Sequence, residues 1–225
     1  MRVVGVVRVL SVCTLTLVGS FAARASDAAG SEGLAVGTNV PQFVLPVVND
    51  FVPPKVAAGP LQPKGVKWGP GKWTGDRPDE AKKLVIMSFF ATYCDPCKKE
   101  MPELARLYDA YKDQGLGVML VSIDKGDEQK NEIINLAKAS GVHFPVVHDR
   151  FQVVARRYAA ERLPYMLMLD PAGNVKVVHV GYTTDLKANL ENEVRAQLGL
   201  APLAPATKDI AKEDPKPTTP AKGKG

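Results

Sequence analysis

Apolar runs and amphipathic segments alternate along the middle of this chain. Residues 84–91 read Leu-Val-Ile-Met-Ser-Phe-Phe-Ala between polar neighbours, and a short run rich in branched and aromatic residues is typical of a buried strand. From residue 101 to residue 111, apolar side chains recur at the three- and four-residue spacing of one helix face. This pattern predicts a buried strand, a short junction and an amphipathic helix. The predicted helix face contains Met101, Leu104, Leu107, Tyr108 and Tyr111.

The same alternation continues after this helix. Residues 117–123 and 144–147 are short apolar runs that predict strands, whereas residues 127–140 and 150–160 have the apolar spacing of helices. Gly141 is a typical helix stop. The predicted inner faces contain Ile133, Ile134, Leu136 and Ala137 in the first helix, and Phe151, Val154, Ala155 and Tyr158 in the second.

Two further strands are predicted at residues 165–169 and 175–180. The intervening Asp170-Pro171-Ala172-Gly173-Asn174 has strong turn chemistry and predicts an antiparallel hairpin. A last helix is predicted from a cap at Asp185 to about Leu198. This order of elements predicts an α/β domain of three layers, in which helices cover both faces of a central mixed β-sheet.

The region before the first buried strand is less regular. Residues 40–48 are mostly apolar but contain two prolines, which restricts them to an edge strand. Residues 52–78 contain six prolines and five glycines, so long regular elements are not expected there. For Trp68 and Trp73 in this segment, we favour a role in covering the domain over the alternative of a partner-recognition surface.

The formal net charge of +5 lies outside the predicted domain. Residues 1–25 contain three arginines and no acid, and residues 201–225 contain five lysines and three acids. Residues 26–200 are therefore formally neutral and offer no electrostatic footprint for nucleic acid.

Residues 1–25 have the features of an export signal. A basic start is followed by mostly apolar residues 9–23, and Ala23-Arg24-Ala25 fits the small-x-small cleavage pattern. The apolar stretch is shorter than the roughly 18 residues of a membrane span, although an uncleaved membrane anchor is the alternative. Cleavage after Ala25 would remove Cys13 and leave one cysteine pair in an oxidising compartment.

Cys94 and Cys97 lie at the predicted junction of strand and helix. The first turn of a helix has unpaired N–H groups and partial positive charge, so the pKa of a thiol at Cys94 should fall. Cys97, one turn on, could resolve a mixed disulfide formed at Cys94. A purely structural disulfide is disfavoured, because so short a ring contributes only about 2 kcal/mol, against about 4.7 kcal/mol for a loop of roughly 100 residues.

Metal binding by this cysteine pair is the alternative. His143 and His148 provide a His-x4-His spacing, but 45 residues separate Cys97 from His143, whereas a zinc finger has about 12–15. Copper delivery would need soft or imidazole ligands near the pair, and the sequence offers none there. We therefore expect no metal and no cofactor other than a redox-active Cys94–Cys97 disulfide.

The segment Phe89-Phe90-Ala91-Thr92-Tyr93-Cys94-Asp95-Pro96-Cys97-Lys98-Lys99-Glu100-Met101-Pro102 resembles the exported thioredoxin-like proteins of the TlpA/ResA type. Leu163-Pro164 ahead of the hairpin supports this resemblance, which spans roughly residues 38–198 and implies the thioredoxin fold. The expected organisation is a signal peptide at 1–25, a flexible lead-in at 26–37, a thioredoxin-like domain at 38–200 with an insertion at 52–78, and a disordered tail at 201–225.

The resemblance implies roles for individual residues. Cys94 would be the exposed attacking thiol and Cys97 the buried resolving thiol. Glu100 would tune the thiol pKa and relay protons, with a solvated helix acid as the alternative. Pro164 would be a cis-proline facing the disulfide, Leu163 would offer backbone hydrogen bonds to an extended substrate, and Asp95 and Pro96 would set the redox poise. The implied substrate-binding surface contains Tyr93, Asp95, Pro96, Leu163 and Pro164.

Two positions depart from the family pattern. Tyr93 stands where the family usually has Trp, which should alter packing beside the cysteines. Ser88 stands where thioredoxins themselves have a buried Asp, so proton transfer would depend more on Glu100 or water.

The expected function is that of a thiol-disulfide oxidoreductase that reduces disulfides of exported proteins. We expect a periplasmic monomer that receives electrons at the membrane and acts in a process such as cytochrome c maturation. One alternative is a thiol peroxidase of the peroxiredoxin type, although Met87 stands where that pattern has a proline and Thr92 lies two residues before Cys94. The other is a non-enzymatic metal-delivery or scaffold module.

Overall fold

The computed structural model describes residues 33–53 and 65–203. The predicted signal peptide, the lead-in up to residue 32, residues 54–64 of the proline-rich segment and the tail from residue 204 lie outside these ranges. The strands are β1 (Leu45–Pro46), β2 (Lys67–Trp68), β3 (Leu84–Phe90), β4 (Leu116–Ser122), β5 (Val146–His148), β6 (Tyr165–Leu169) and β7 (Val175–Val180). The α-helices are α1 (Asp95–Tyr111), α2 (Lys130–Ala139), α3 (Val153–Arg157) and α4 (Thr184–Gln197).

A mixed sheet with the strand order β5-β4-β3-β6-β7 forms the centre of the domain. Strand β4 is parallel to β3 and to β5, whereas β6 is antiparallel to β3 and to β7. All seven residues of β3 are buried, as their continuous apolar run predicts for a central strand. The hairpin of β6 and β7 has the predicted bounds, and its strands are antiparallel as predicted.

Helices cover both faces of this sheet. On β3, Ser88 faces α1 and donates a hydrogen bond to Glu100, while the next residue, Phe89, points to the opposite face. There, Phe89 contacts Tyr158, just after α3, with ring centroids 5.2 Å apart. Helix α4 lies on the α1 side, where Arg106 pairs with Glu191 at 2.7 Å. The predicted three-layer α/β architecture is therefore confirmed.

The helix predicted over residues 150–160 is shorter than expected. Helix α3 begins only at Val153, because Gln152 has a φ of 55° and Asp149 accepts hydrogen bonds from the N–H groups of Val153 and Ala155. Phe151, predicted on the inner face, precedes the helix and is 66% exposed. The prediction for Phe151 is wrong because helical spacing was extended through a left-handed residue.

The cap of the last helix also differs from the prediction. Thr183, rather than Asp185, is the N-cap of α4, and its hydroxyl accepts a hydrogen bond of 3.1 Å from the N–H of Leu186. Asp185 lies in the first turn, where its negative charge still stabilises the helix by interacting with the positive end of the helix dipole.

The two tryptophans belong to the hydrophobic core. Trp68 and Trp73 are each 3% exposed, and their ring centroids are 5.3 Å apart. Their burial confirms the covering role, and neither indole is an exposed anchor for a partner. The preceding edge strand is shorter than residues 40–48, since only Leu45–Pro46 pairs with β2.

Candidate active site

The candidate site lies at one edge of the sheet. Phe90 at the end of β3 pairs with Ser122 at the end of β4, and the loop to the cysteines leaves from this edge. Because β6 runs antiparallel to β3, with Tyr165 opposite Phe89, the chain enters β6 at the same edge. Ligands of open α/β sheets bind at this carboxyl edge of parallel strands.

Cys94 and Cys97 form a disulfide at the start of α1. Their Sγ atoms are 2.04 Å apart and their Cα atoms 5.3 Å apart. Cys94 is the helix N-cap, and its Sγ accepts a hydrogen bond of 3.3 Å from the Cys97 N–H. Pro96 lies in the first turn, where a helix residue needs no N–H. A helix N–H that has no backbone acceptor within the helix thus donates to the sulfur that is predicted to attack.

The two cysteines differ in exposure. Cys94 is 8% exposed and Cys97 is 0% exposed. The order agrees with an outer and an inner thiol. The prediction that Cys94 is exposed is wrong, because as the N-cap it holds its sulfur against the first turn of the helix, where Sγ accepts a hydrogen bond from the Cys97 N–H. Tyr93, next to it, is 70% exposed and extends into solvent.

Glu100 lies one turn after Cys97, on the buried side of α1. It is 1% exposed, and its Oε2 accepts a hydrogen bond of 2.7 Å from the Ser88 hydroxyl. Burial raises the pKa of Glu100 to about 7, and the Ser88 hydrogen bond partly opposes this shift. The alternative of a solvated helix acid is therefore wrong, and a carboxyl with a pKa near neutral lies one helix turn from Cys97.

The peptide bond between Leu163 and Pro164 is cis. Pro164 is buried and its carbonyl accepts a hydrogen bond of 2.8 Å from Gly181, while Leu163 is half-buried. Asp95 and Pro96 are exposed in the first turn of α1, where Asp95 pairs with Lys98 at 3.2 Å.

A buried polar network that the sequence did not reveal fixes the loop before Cys94. Asp124, which is 2% exposed, accepts hydrogen bonds from the Thr92 N–H at 3.1 Å and from the Thr92 and Ser122 hydroxyls at 2.7 Å each. The sequence signal was an acid just after a predicted strand, a frequent position for site residues. Its partner, 32 residues earlier, could be found only in the fold.

The residues of the zinc alternative are not assembled. In the described ranges, no group of three or more His, Cys, Asp or Glu residues could hold a metal ion. His148 Nε2 lies 2.8 Å from the backbone oxygen of Asp124 instead.

Among the described residues, no helix is both long enough and apolar enough to cross a membrane.

Comparison with known proteins connects this geometry to a family. A model of the AhpC/TSA family matches residues 74–178. The thiol-disulfide oxidoreductase ResA of Bacillus subtilis is 31% identical over 157 residues, which cover 70% of this chain and 74% of that protein. ResA of Geobacillus thermodenitrificans is 34% identical over 116 residues, 51% of this chain and 65% of that protein.

Solved structures share the fold. A thiol:disulfide interchange protein of the thioredoxin family from Chlorobium tepidum superposes with a TM-score of 0.54 at 23% identity, over 74% of this chain and 99% of that chain. The thioredoxin domain of a thiol-disulfide oxidoreductase from Bacteroides vulgatus has a TM-score of 0.51 at 22% identity, over 72% and 99%. This chain therefore has a thioredoxin-like fold and belongs to the ResA family of thiol-disulfide oxidoreductases.

Proposed function

We propose that this oxidoreductase works as a reductant of disulfides in exported proteins. The main support for thiol–disulfide exchange is the asymmetry of the pair: Cys94 caps α1 and keeps limited exposure, whereas Cys97 is fully buried one turn before Glu100. The Asp95-Pro96 dipeptide and Glu100 favour the reducing direction. The Cys94 sulfur can react with a substrate disulfide, whereas the buried Cys97 sulfur can react only with Cys94.

The reaction uses two exchanges. The Cys94 thiolate attacks one sulfur of the client disulfide, forms a mixed disulfide and releases the other client sulfur as a thiolate. Cys97 then gives its proton to the Glu100 carboxylate, and its thiolate attacks the Cys94 sulfur. The mixed disulfide breaks and the second client thiolate leaves. The client gains two electrons, the enzyme becomes the Cys94–Cys97 disulfide, and protons from Glu100 and solvent complete the client thiols.

The substrate surface of this proposal surrounds the disulfide. Leu163 and Pro164 would bind an extended client segment through the backbone, and Tyr93 would offer an exposed ring at the rim. Asp95 and Pro96 would set the redox poise from the first turn of α1, where their side chains are exposed.

Export rests on residues 1–25, which lie outside the described ranges. We propose that cleavage after Ala25 releases a periplasmic monomer that is re-reduced by a membrane-bound donor, with a membrane anchor as the alternative. Mass measurement of the protein isolated from its host distinguishes a chain that begins at Ser26 from one that retains the segment.

The reduction potential of the pair decides the direction. We expect a midpoint near that of thioredoxin, about −270 mV, in defined thiol–disulfide redox buffers. A value near about −120 mV, typical of a strong oxidant, would contradict the reductant proposal while leaving the oxidoreductase assignment in place.

Cysteine variants test the mechanism and find the client. The Cys94→Ser variant should lose disulfide reductase activity toward insulin, because the remaining thiol of the pair, Cys97, is fully buried and cannot start the exchange. Cys97→Ala should accumulate mixed disulfides, and mass spectrometry would identify apocytochrome c, copper-protein or misfolded secreted chains as clients. Full reductase activity of Cys94→Ser would refute the mechanism.

The AhpC/TSA match motivates one further assay. Consumption of hydrogen peroxide by the reduced protein, dependent on Cys94, would favour the peroxidase alternative. The Thr92 hydroxyl donates a hydrogen bond to Asp124 and so helps to attach the loop before Cys94 to the sheet.

A further inference from the structure

Only one of the two carboxyl oxygens of Glu100 has a hydrogen-bond partner among the described residues. Ser88 binds Oε2, but Oε1 is buried and has no hydrogen-bond partner among the described residues. An ionised carboxylate has several acceptor positions, and leaving one buried without a donor is costly. Glu100 needs a second donor whenever it holds a negative charge.

Tyr182 presents the complementary group. Its hydroxyl oxygen is also buried and also lacks a hydrogen-bond partner within residues 33–53 and 65–203. The backbone on both sides of Tyr182 is fixed, since Gly181 donates to the Pro164 carbonyl at 2.8 Å and Thr183 caps α4. Tyr182 is therefore held at the edge of the sheet that carries the cis-proline.

Tyr182 lies on the α1 side of the sheet, because it directly precedes the N-cap of α4, and α4 pairs with α1 through Glu191 and Arg106 at 2.7 Å. Burial, followed by the negative charges of Glu103 and Glu100, raises the pKa of Tyr182 to about 12, while Arg106 opposes the shift. The hydroxyl therefore keeps its proton at neutral pH and can act only as a donor toward a carboxylate. Ser88 on β3 contacts Glu100 from the sheet and does not ionise. The charged groups near Tyr182 include Glu103 and Arg106 on α1, and Glu191 on α4, which pairs with Arg106 at 2.7 Å.

We propose that Tyr182 is a positioning residue for Glu100, and that its hydroxyl donates to Oε1, directly or through one water molecule, when the carboxyl is ionised. This inference deepens the proposed function and rests on it. Cys97 and Glu100, three residues apart on α1, share a helix face, so the carboxylate can receive the Cys97 proton. Together, Tyr182 and Ser88 would hold both carboxylate oxygens and keep a deeply buried group able to ionise at neutral pH.

The direct test is the titration of Glu100 in the reduced full chain, followed by NMR of the ¹³C-labelled carboxyl carbon. The variant Tyr182→Phe removes only the hydroxyl, and we expect the pKa of Glu100 to rise by about one unit or more. The matched control is Tyr158→Phe, which removes a hydroxyl that donates to the Pro41 carbonyl on the opposite face of the sheet and should leave the titration of Glu100 unchanged.

A kinetic readout links the titration to the reaction. If the pKa of Glu100 rises from about 7 to about 8, its ionised fraction at pH 7 falls from one half to about one tenth. Resolution of a preformed mixed disulfide should then slow about fivefold at pH 7 and converge with wild type near pH 9. In a Glu100→Gln background, Tyr182→Phe should cause no further change.

Two failures can be told apart. If Glu100 titrates at the same pH in wild type and in Tyr182→Phe, this inference is wrong, even if the enzyme reduces client disulfides. A wild-type protein that does not reduce client disulfides would overturn the proposed function, and the titration of Glu100 would still report on Tyr182.

Discussion

At the scale of single residues, burial controls the proton affinity of Glu100. The folded-state pKa of about 7 lies above the ordinary value of 4.5, so the folded protein binds more protons than the unfolded chain between these pH values. The resulting stability is fully present below about pH 4.5 and is lost as the pH rises through about 7. Integrated over this window, the loss is about 3 kcal/mol.

Glu100→Gln should remove this loss, since a neutral amide mimics the protonated carboxyl. In urea unfolding of the oxidised protein, we expect the variant to be more stable than wild type at pH 8 by up to about 3 kcal/mol, with the difference shrinking toward pH 4.5. The exposed Glu132→Gln on α2 serves as the control and should show no such trend. A constant difference at all pH values would contradict the raised pKa.

At the scale of elements, Asp124 connects the ends of two neighbouring strands. Its carboxylate follows β4 and binds the N–H and hydroxyl of Thr92, which follows β3. Ser122 at the end of β4 supplies a further donor. The loop that positions Cys94 is therefore attached to the sheet through one buried carboxylate.

Asp124→Ala should destabilise the protein by about 3 kcal/mol or more, because three buried donors lose their acceptor. Denaturant unfolding measures this loss, and Asp109→Ala on the exposed side of α1 provides the comparison, with a change of about 0.5 kcal/mol or less. Equal effects of the two substitutions would argue against the anchoring role.

At the scale of the whole molecule, the irregular segment before β3 is held by aromatic packing. Trp68 contacts both Phe51 and Trp73, with ring centroids at 5.0 Å and 5.3 Å. This cluster lets a proline-rich segment join the core without long hydrogen-bonded elements, since apolar burial is not directional.

Trp73→Ala should cost about 3–5 kcal/mol of stability, the usual range for removing a fully buried large aromatic side chain. The activity per folded molecule should remain, because the indole packs beside Gly117 near the start of β4, at the end of the sheet opposite the cysteine loop. Val44→Ala, at a position that is 60% exposed, should change the thermal midpoint little. A stable Trp73→Ala protein with impaired client binding would instead favour a recognition surface.

The sequence alone determined the elements whose causes are local. Continuous apolar runs predicted β3 and β4, and the Asp-Pro-Ala-Gly-Asn turn predicted the hairpin. The spacing of the cysteines placed both sulfurs in one helix turn. Where the cause was a single backbone conformation, as at Gln152, or a choice between nearby caps, as at Thr183 and Asp185, side-chain spacing gave the wrong boundary.

Only the tertiary structure decided which polar side chains meet. The motif could name Glu100 but could not bury it against Ser88, nor bring Thr92 to Asp124 or Tyr182 to the edge of the cis-proline. These relations join residues that are far apart in the chain, and strand register and helix packing create them. Local pattern thus fixed where the sulfurs lie, and long-range packing fixed the proton chemistry around them, because desolvation depends on every segment that covers a group.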